Sequence, residues 1–161
     1  MTALLQILQE FHREKLAMLL RHEAGARVVS QYDANNTYQY IINREEAQLS
    51  WLEKAIADLA GTVASVPDAN RVIAGTGADA AHMVLREDAS DAQAFVDRWR
   101  PRVEAMTNAR HQGMLRVILG ETLEHKRFFE QALAGRTDLL GRRAEQLGPA
   151  RGRVLATRWV E

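Results

Sequence analysis

Tyr38 to Leu52 reads YQYIINREEAQLSWL, and Met114 to Phe128 reads MLRVILGETLEHKRF. Taken at steps of three and four residues, the first gives Tyr38, Ile41, Glu45, Gln48 and Leu52, and the second gives Met114, Ile118, Glu121, His125 and Phe128. That spacing is one face of a helix. Each face is apolar at both ends and polar in the middle. A carboxylate buried on such a face costs several kcal/mol unless it is paired, protonated or bound to a cation. The two stretches therefore predict helices that share a core, with a polar layer at one depth and something there to compensate the charge.

Outward from these stretches the rest of the chain also reads as helix. Leu5, Leu8, Leu16, Leu19, Ala26 and Val29 recur at helical steps and predict helix A over about 4–29. Asp33, Asn35 and Asn36 favour a turn because their side chains compete for backbone hydrogen bonds. Helix B is expected from about Asn36 to Leu59, with Gly61 as its stop. Between Gly61 and Ser90 the pattern weakens, which predicts a crossover connection with one short helix near Ala80 to Arg86. Ser90 or Asp91 is a candidate cap for helix C, whose stripe is Ala92, Phe95, Val96, Trp99, Val103 and Met106. Pro101 either kinks that helix or opens a longer last one. Helix D carries Met114, Val117, Ile118, Phe128, Ala132 and Leu133 and ends at Gly135. The expected organisation is all-α: a bundle over 1–135, then an arginine-rich extension over 136–161 packing on or beside it.

Composition narrows the function. The 161 residues carry Lys plus Arg and Asp plus Glu at 21 each, so no global field attracts nucleic acid or an anionic membrane. There is no cysteine, which excludes thiolate catalysis and sulfur-ligated metals and accords with a cytoplasmic location. The first fifteen residues lack the long apolar run of a signal peptide or anchor. Only oxygen and imidazole donors are left for a metal.

Geometry gives the donors a possible meeting point. If the chain reverses near Ala34, Glu23 lies eleven residues before the turn and Glu45 eleven after it, so antiparallel helices bring the two level. Glu121 and His125 are one turn apart, as are Glu45 and Gln48. Facing carboxylates and an imidazole suit iron or manganese, one or two ions, and they suit a buried hydrogen-bonded network equally. His12 shares a face with Glu23; Glu124 flanks the stripe as ligand or rim.

Glu121-Thr122-Leu123-Glu124-His125, followed by Phe128 and Phe129, resembles the last-helix ExxEH motif of rubrerythrins and other ferritin-like di-iron proteins. Glu45-Glu46-Ala47-Gln48 with Trp51 and Leu52 is similar to that family's ExxH helix, and Glu23 with Arg27 and Tyr32 resembles its first-helix glutamate. The likeness covers roughly 4–60 and 100–134. It implies a ferritin-like antiparallel four-helix bundle with a crossover between helices B and C. The implied metal set is Glu23, Glu45, Gln48, Glu121, Glu124 and His125. Two departures stand out: Gln48 replaces the family's histidine, and the third-helix glutamate has no match. The level of Glu121 falls at Arg98, Trp99 or Arg100, with Glu87 or Glu104 as substitutes under other helix boundaries, and an arginine from helix C could fill the vacancy. Two functions follow: a small oxidase- or peroxidase-like metal protein, or a non-catalytic bundle that forms a dimer or binds a partner.

Overall fold

A computed structural model describes residues 2–63, 65 and 70–140, and among them it holds four α-helices and no strand. They are α1 (Ala3–Ala26), α2 (Tyr32–Asp58), α3 (Gly77–Glu104) and α4 (Ala109–Leu133). Side-chain caps start three of them: Thr2 accepts from the Leu5 amide, Gln31 from Ala34 and Asn108 from His111. The α1–α2 reversal is held by Asn35, whose Nδ2 donates to the carbonyls of Ala26 and Val29 at 2.9 and 3.1 Å.

Cross-helix pairs fix the directions. Arg102 meets Glu10, Arg98 meets Glu14 and Arg21 meets Asp91, so α3 runs antiparallel to α1. Tyr40 packs on Phe128 while Arg44 bonds Glu121, so α4 runs antiparallel to α2. Because α1 and α2 are also antiparallel, α2 and α3 point the same way and the chain between them must travel the bundle's length. It does so: Gln9 Nε2 donates to the carbonyl of Thr62, and Arg71 Nη1 donates to the carbonyl of Arg21. Gln9 and Arg21 are roughly 18 Å apart along α1 at 1.5 Å per residue. This is the ferritin-like bundle with its crossover between the second and third helices.

Two expectations change. The short helix near 80–86 and helix C are one helix, because Ala80, Val84, Leu85, Asp88, Ala92, Phe95, Val96 and Trp99 bury a continuous stripe through Ser90 and Asp91. Pro101 sits in the last turn of α3, three residues short of its end, so it neither opens a long last helix nor interrupts much of one. Aromatic side chains fill the core on both sides of the polar layer: Phe11 stands edge-on to Phe95 and Trp99 at one end, and Tyr38 tilts over Phe129 at the other. After α4, Gly135 takes φ 84 and Leu139 returns to the core. Most of the expected 136–161 extension, residues 141–161, lies outside the described residues.

Candidate functional site

The polar layer centres on Glu45, which is 0 % exposed. Lys15 Nζ, equally buried, donates to its Oε2 at 2.9 Å, and His22 Nδ1 lies 2.5 Å from Oε1. Both partners come from α1. Burial alone would raise the Glu45 pKa, yet the charges and hydrogen bonds of His22 and Lys15 outweigh it and hold the carboxyl down at about 2. For His22, burial pulls the pKa down, but the Glu45 charge and hydrogen bond win and raise it. His125, from α4, is also buried; desolvation dominates there and lowers its pKa to about 3, so the ring is neutral at physiological pH. Among the described residues its Nδ1 has no hydrogen-bond partner, and neither has Gln48 Oε1.

Glu121 stands apart from this centre. Its side chain is 22 % exposed and is forked by Arg44, Nε to Oε1 at 3.0 Å and Nη2 to Oε2 at 2.9 Å, while Gln48 Nε2 donates to Oε1 at 3.0 Å. Burial works to raise its pKa, and the Arg44 and Gln48 hydrogen bonds bring it below the ordinary carboxylate value. Arg44 comes from α2 and stacks over Trp51, so the arginine that meets this carboxylate is not one from the third helix.

A second buried carboxylate lies on α3. Tyr38 Oη donates to Asp88 Oδ2 at 2.5 Å; Arg71 Nη1 donates to the same oxygen at 3.3 Å and lies 3.0 Å from Oδ1. Arg71 reaches in from the crossover, and it passes over Gly25, where a Cβ would meet its Nη1 and Val84 Cγ1 at 2.8 Å. The proposed substitutes Glu87 and Glu104 stay outside, bonding Arg71 and Arg116 respectively. Arg98 and Trp99 both donate to Glu14, and Arg100 is exposed.

Of the six expected ligands, Glu45, Gln48 and His125 are buried in the layer, Glu121 borders it, and Glu124 is exposed. Glu23 is only partly buried, and His22 faces Glu45 in its place. One residue of a helix turns the side chain by about 100°, and that rotation selects the histidine over Glu23. His12 is buried at the α1–α2 seam with Nε2 3.1 Å from Glu53 Oε1. Lys15, Asp88, Arg71 and the polar role of Tyr38 were not foreseen. Lys15 and His22 had a signal: α1 buries Leu5, Leu8, His12, Lys15, Leu19, His22 and Ala26 at strictly alternating three- and four-residue steps.

This donor set does not fit a metal. Among the described residues no three His, Asp or Glu side chains are grouped to ligate an ion. The most buried carboxylate already holds an ammonium on one oxygen and an imidazole on the other, and Glu121 is taken by a guanidinium.

No family model matches the chain, and no curated protein matches it. A solved structure does: a mutant of Dps1 from Mycobacterium smegmatis, with a TM-score of 0.61 and 12 % identity, over 80 % of this chain and 93 % of that one. Likeness at that identity establishes the ferritin-like fold. No helix among the described residues is long and apolar enough to cross a membrane.

Proposed function

We propose that this chain is a ferritin-like bundle that works without a metal, a non-catalytic helical module whose exposed faces engage a second copy or a protein partner. The observation that carries this reading is the Lys15–Glu45 pair, 2.9 Å apart with both side chains fully buried. A divalent ion at Glu45 would have to expel or deprotonate a chain-borne cation, and would also face the raised basicity of His22. The layer then serves the fold. Buried polar groups that pair only in one arrangement can select register, at a cost in stability that apolar packing would avoid. Exposed Trp51, Tyr32, Tyr40 and Val117 supply apolar surface for an assembly or partner contact.

Anaerobic melting of chelator-free protein with ferrous or manganous ion tests this. The expected midpoint is independent of either ion, in the wild type and equally in Gln48→His, because restoring an imidazole at position 48 leaves Lys15 in place. A midpoint that climbs with free ion by mass action, and stops climbing in His125→Ala, would overturn the reading. The protein would then be an iron or manganese protein, with oxidase- or peroxidase-like chemistry as the next question.

A further inference from the structure

On the outer side of α4, Arg110, Gly113, Val117, Gly120 and Glu124 follow one another at alternating steps of three and four residues, so they form one seam along the helix. None of the five is buried, and Val117 is 51 % exposed. The charges at the ends of the seam are self-complementary. Arg110 and Glu124 stand seven residues before and after Val117, about 10 Å to either side of it. Among the described residues neither has a hydrogen bond or an ion pair, whereas Arg116, Glu121 and Glu130 on the same helix are taken by Glu104, Arg44 and Lys126. Arg127 is turned about 80° off the seam. Lys54 and Asp58, which share a pocket of about 240 Å³ with Arg110 and Trp51, pair with each other at 3.5 Å.

The two glycines of the seam also need a reason, because an exposed glycine inside a helix costs roughly 0.5–1 kcal/mol against alanine. The other described glycines have one. A Cβ on Gly25 would run into Arg71 and Val84, a Cβ on Gly61 would run into Leu5, and Gly75, Gly77 and Gly135 take positive φ. A Cβ on Gly113 or Gly120 would meet nothing within 4 Å among the described residues. What these two do provide is a low surface on either side of Val117, where a second helix can come close.

We propose that two copies of this chain pair through this seam, α4 against α4 and antiparallel, about a two-fold axis at Val117. In that register Arg110 of each copy falls level with Glu124 of the other, which makes two ion pairs, and Gly113 falls within one residue of the level of the other copy's Gly120. Glu124 also arrives at the first turn of the facing α4, whose dipole favours a carboxylate. The occupant is a second copy because opposite charges at equal distances from an apolar centre satisfy each other under two-fold pairing, a symmetry that a foreign partner would not need. The inference rests on the reading of this chain as an assembling module, and it holds whether or not the core takes an ion.

Sedimentation equilibrium of the full chain at several concentrations is expected to show a reversible monomer–dimer equilibrium. Gly120→Gln fills the low surface, and Arg110→Glu or Glu124→Arg alone sets like charges against each other between the copies. Each change is expected to weaken the dimer about tenfold or more, and Arg110→Glu combined with Glu124→Arg to restore most of the affinity. The glycine variant separates assembly from folding, since at a dilution where both proteins are monomers it should melt no lower than the wild type. A monomer at every concentration overturns the proposal. So does a dimer that neither Gly120→Gln nor Arg110→Glu weakens, or a combined variant no tighter than the single ones. Any of these results leaves the ion-independent melting midpoint as it was, so the two readings fail separately.

Discussion

Glu45 and Asp88 are both buried carboxylates, and both are held by one cation and one ring donor, yet their partners come from different levels of the structure. Glu45 takes Lys15 and His22 from the adjoining helix α1, so its pairing forms wherever α1 and α2 pack in register. Asp88 takes Tyr38 from α2 and Arg71 from the crossover, so its pairing forms only once the long connection has been laid along the bundle. The same electrostatic requirement therefore serves two purposes: the first pair locks a helix hairpin, and the second fastens a loop that has few other reasons to lie where it does.

That contrast is broken most severely at Lys15. Lys15→Met is expected to cost about 3–5 kcal/mol, because it leaves Glu45 charged and buried with one partner gone. Adding Glu45→Leu to it should recover much of the loss, and urea unfolding of the two single mutants and the double mutant measures the coupling. Additive losses would mean that Lys15 and Glu45 do not depend on each other.

At the second carboxylate a smaller effect is expected, since the crossover that carries Arg71 can open locally and let water reach Asp88 when the guanidinium is gone. Arg71→Met should destabilise by about 2–3 kcal/mol. Hydrogen exchange should show the loss concentrated at the crossover and the start of α3, with α1 and α2 protected as before. Gly25→Ala should reproduce the pattern by pushing Arg71 off its seat. Exchange that quickens evenly over the whole bundle would erase the distinction between hairpin lock and loop fastener.

Acid should act on the Glu45 layer through three groups of differing sign. His125 falls from an ordinary value of 6.5 to about 3 in the fold, so the unfolded chain binds its proton first, and stability declines as pH drops from 6.5 toward 3. Glu45 is lowered from 4.5 to about 2; its contribution is complete above 4.5 and disappears as pH falls through 2. His22 has the opposite sign, since its raised pKa adds stability below 6.5 that is lost as pH rises through the folded value. Removing His125 by His125→Gln should therefore flatten the slope between 6.5 and 4.5, while His22→Gln should leave that range alone and abolish a loss of stability above 6.5. Unfolding free energies measured on both sides of 6.5 decide between the two signs.

How much of this could be read from the sequence depends on where each partner comes from. The α2 face was legible because Tyr38, Ile41, Glu45, Gln48 and Leu52 all lie on one regular helix, and Glu45 and Gln48 are buried as its spacing requires. On α4 the buried stripe runs through Leu115, Ile118, Thr122, His125 and Phe129, about one residue round from the expected series, which is why Glu121 borders the core and Val117 is exposed. Lys15 is hard to read as a core residue because lysine is almost never fully buried unless paired, although its step from Leu8, His12 and Leu19 is regular. Arg71 had no periodic context at all. A loop residue that enters a core is fixed by tertiary contacts, and nothing in its neighbours announces it.

The smallest effect should come from the ion pair that looks most ideal. Arg44 forks Glu121 with two good hydrogen bonds, but its side chain is 35 % exposed and that of Glu121 is 22 % exposed. Water therefore screens the pair, and an exposed or half-exposed ion pair contributes about 0–1 kcal/mol after the entropy of fixing two long side chains. Without Arg44, Glu121 keeps the Gln48 amide and gains solvent, so Arg44→Met should cost less than about 1 kcal/mol. That cost should shrink further as salt is added, because the pair is open to screening. A loss comparable to that of Lys15→Met would mean that Glu121 belongs to the buried layer in solution, and that the division drawn between Glu45 at the centre and Glu121 at its border is misplaced.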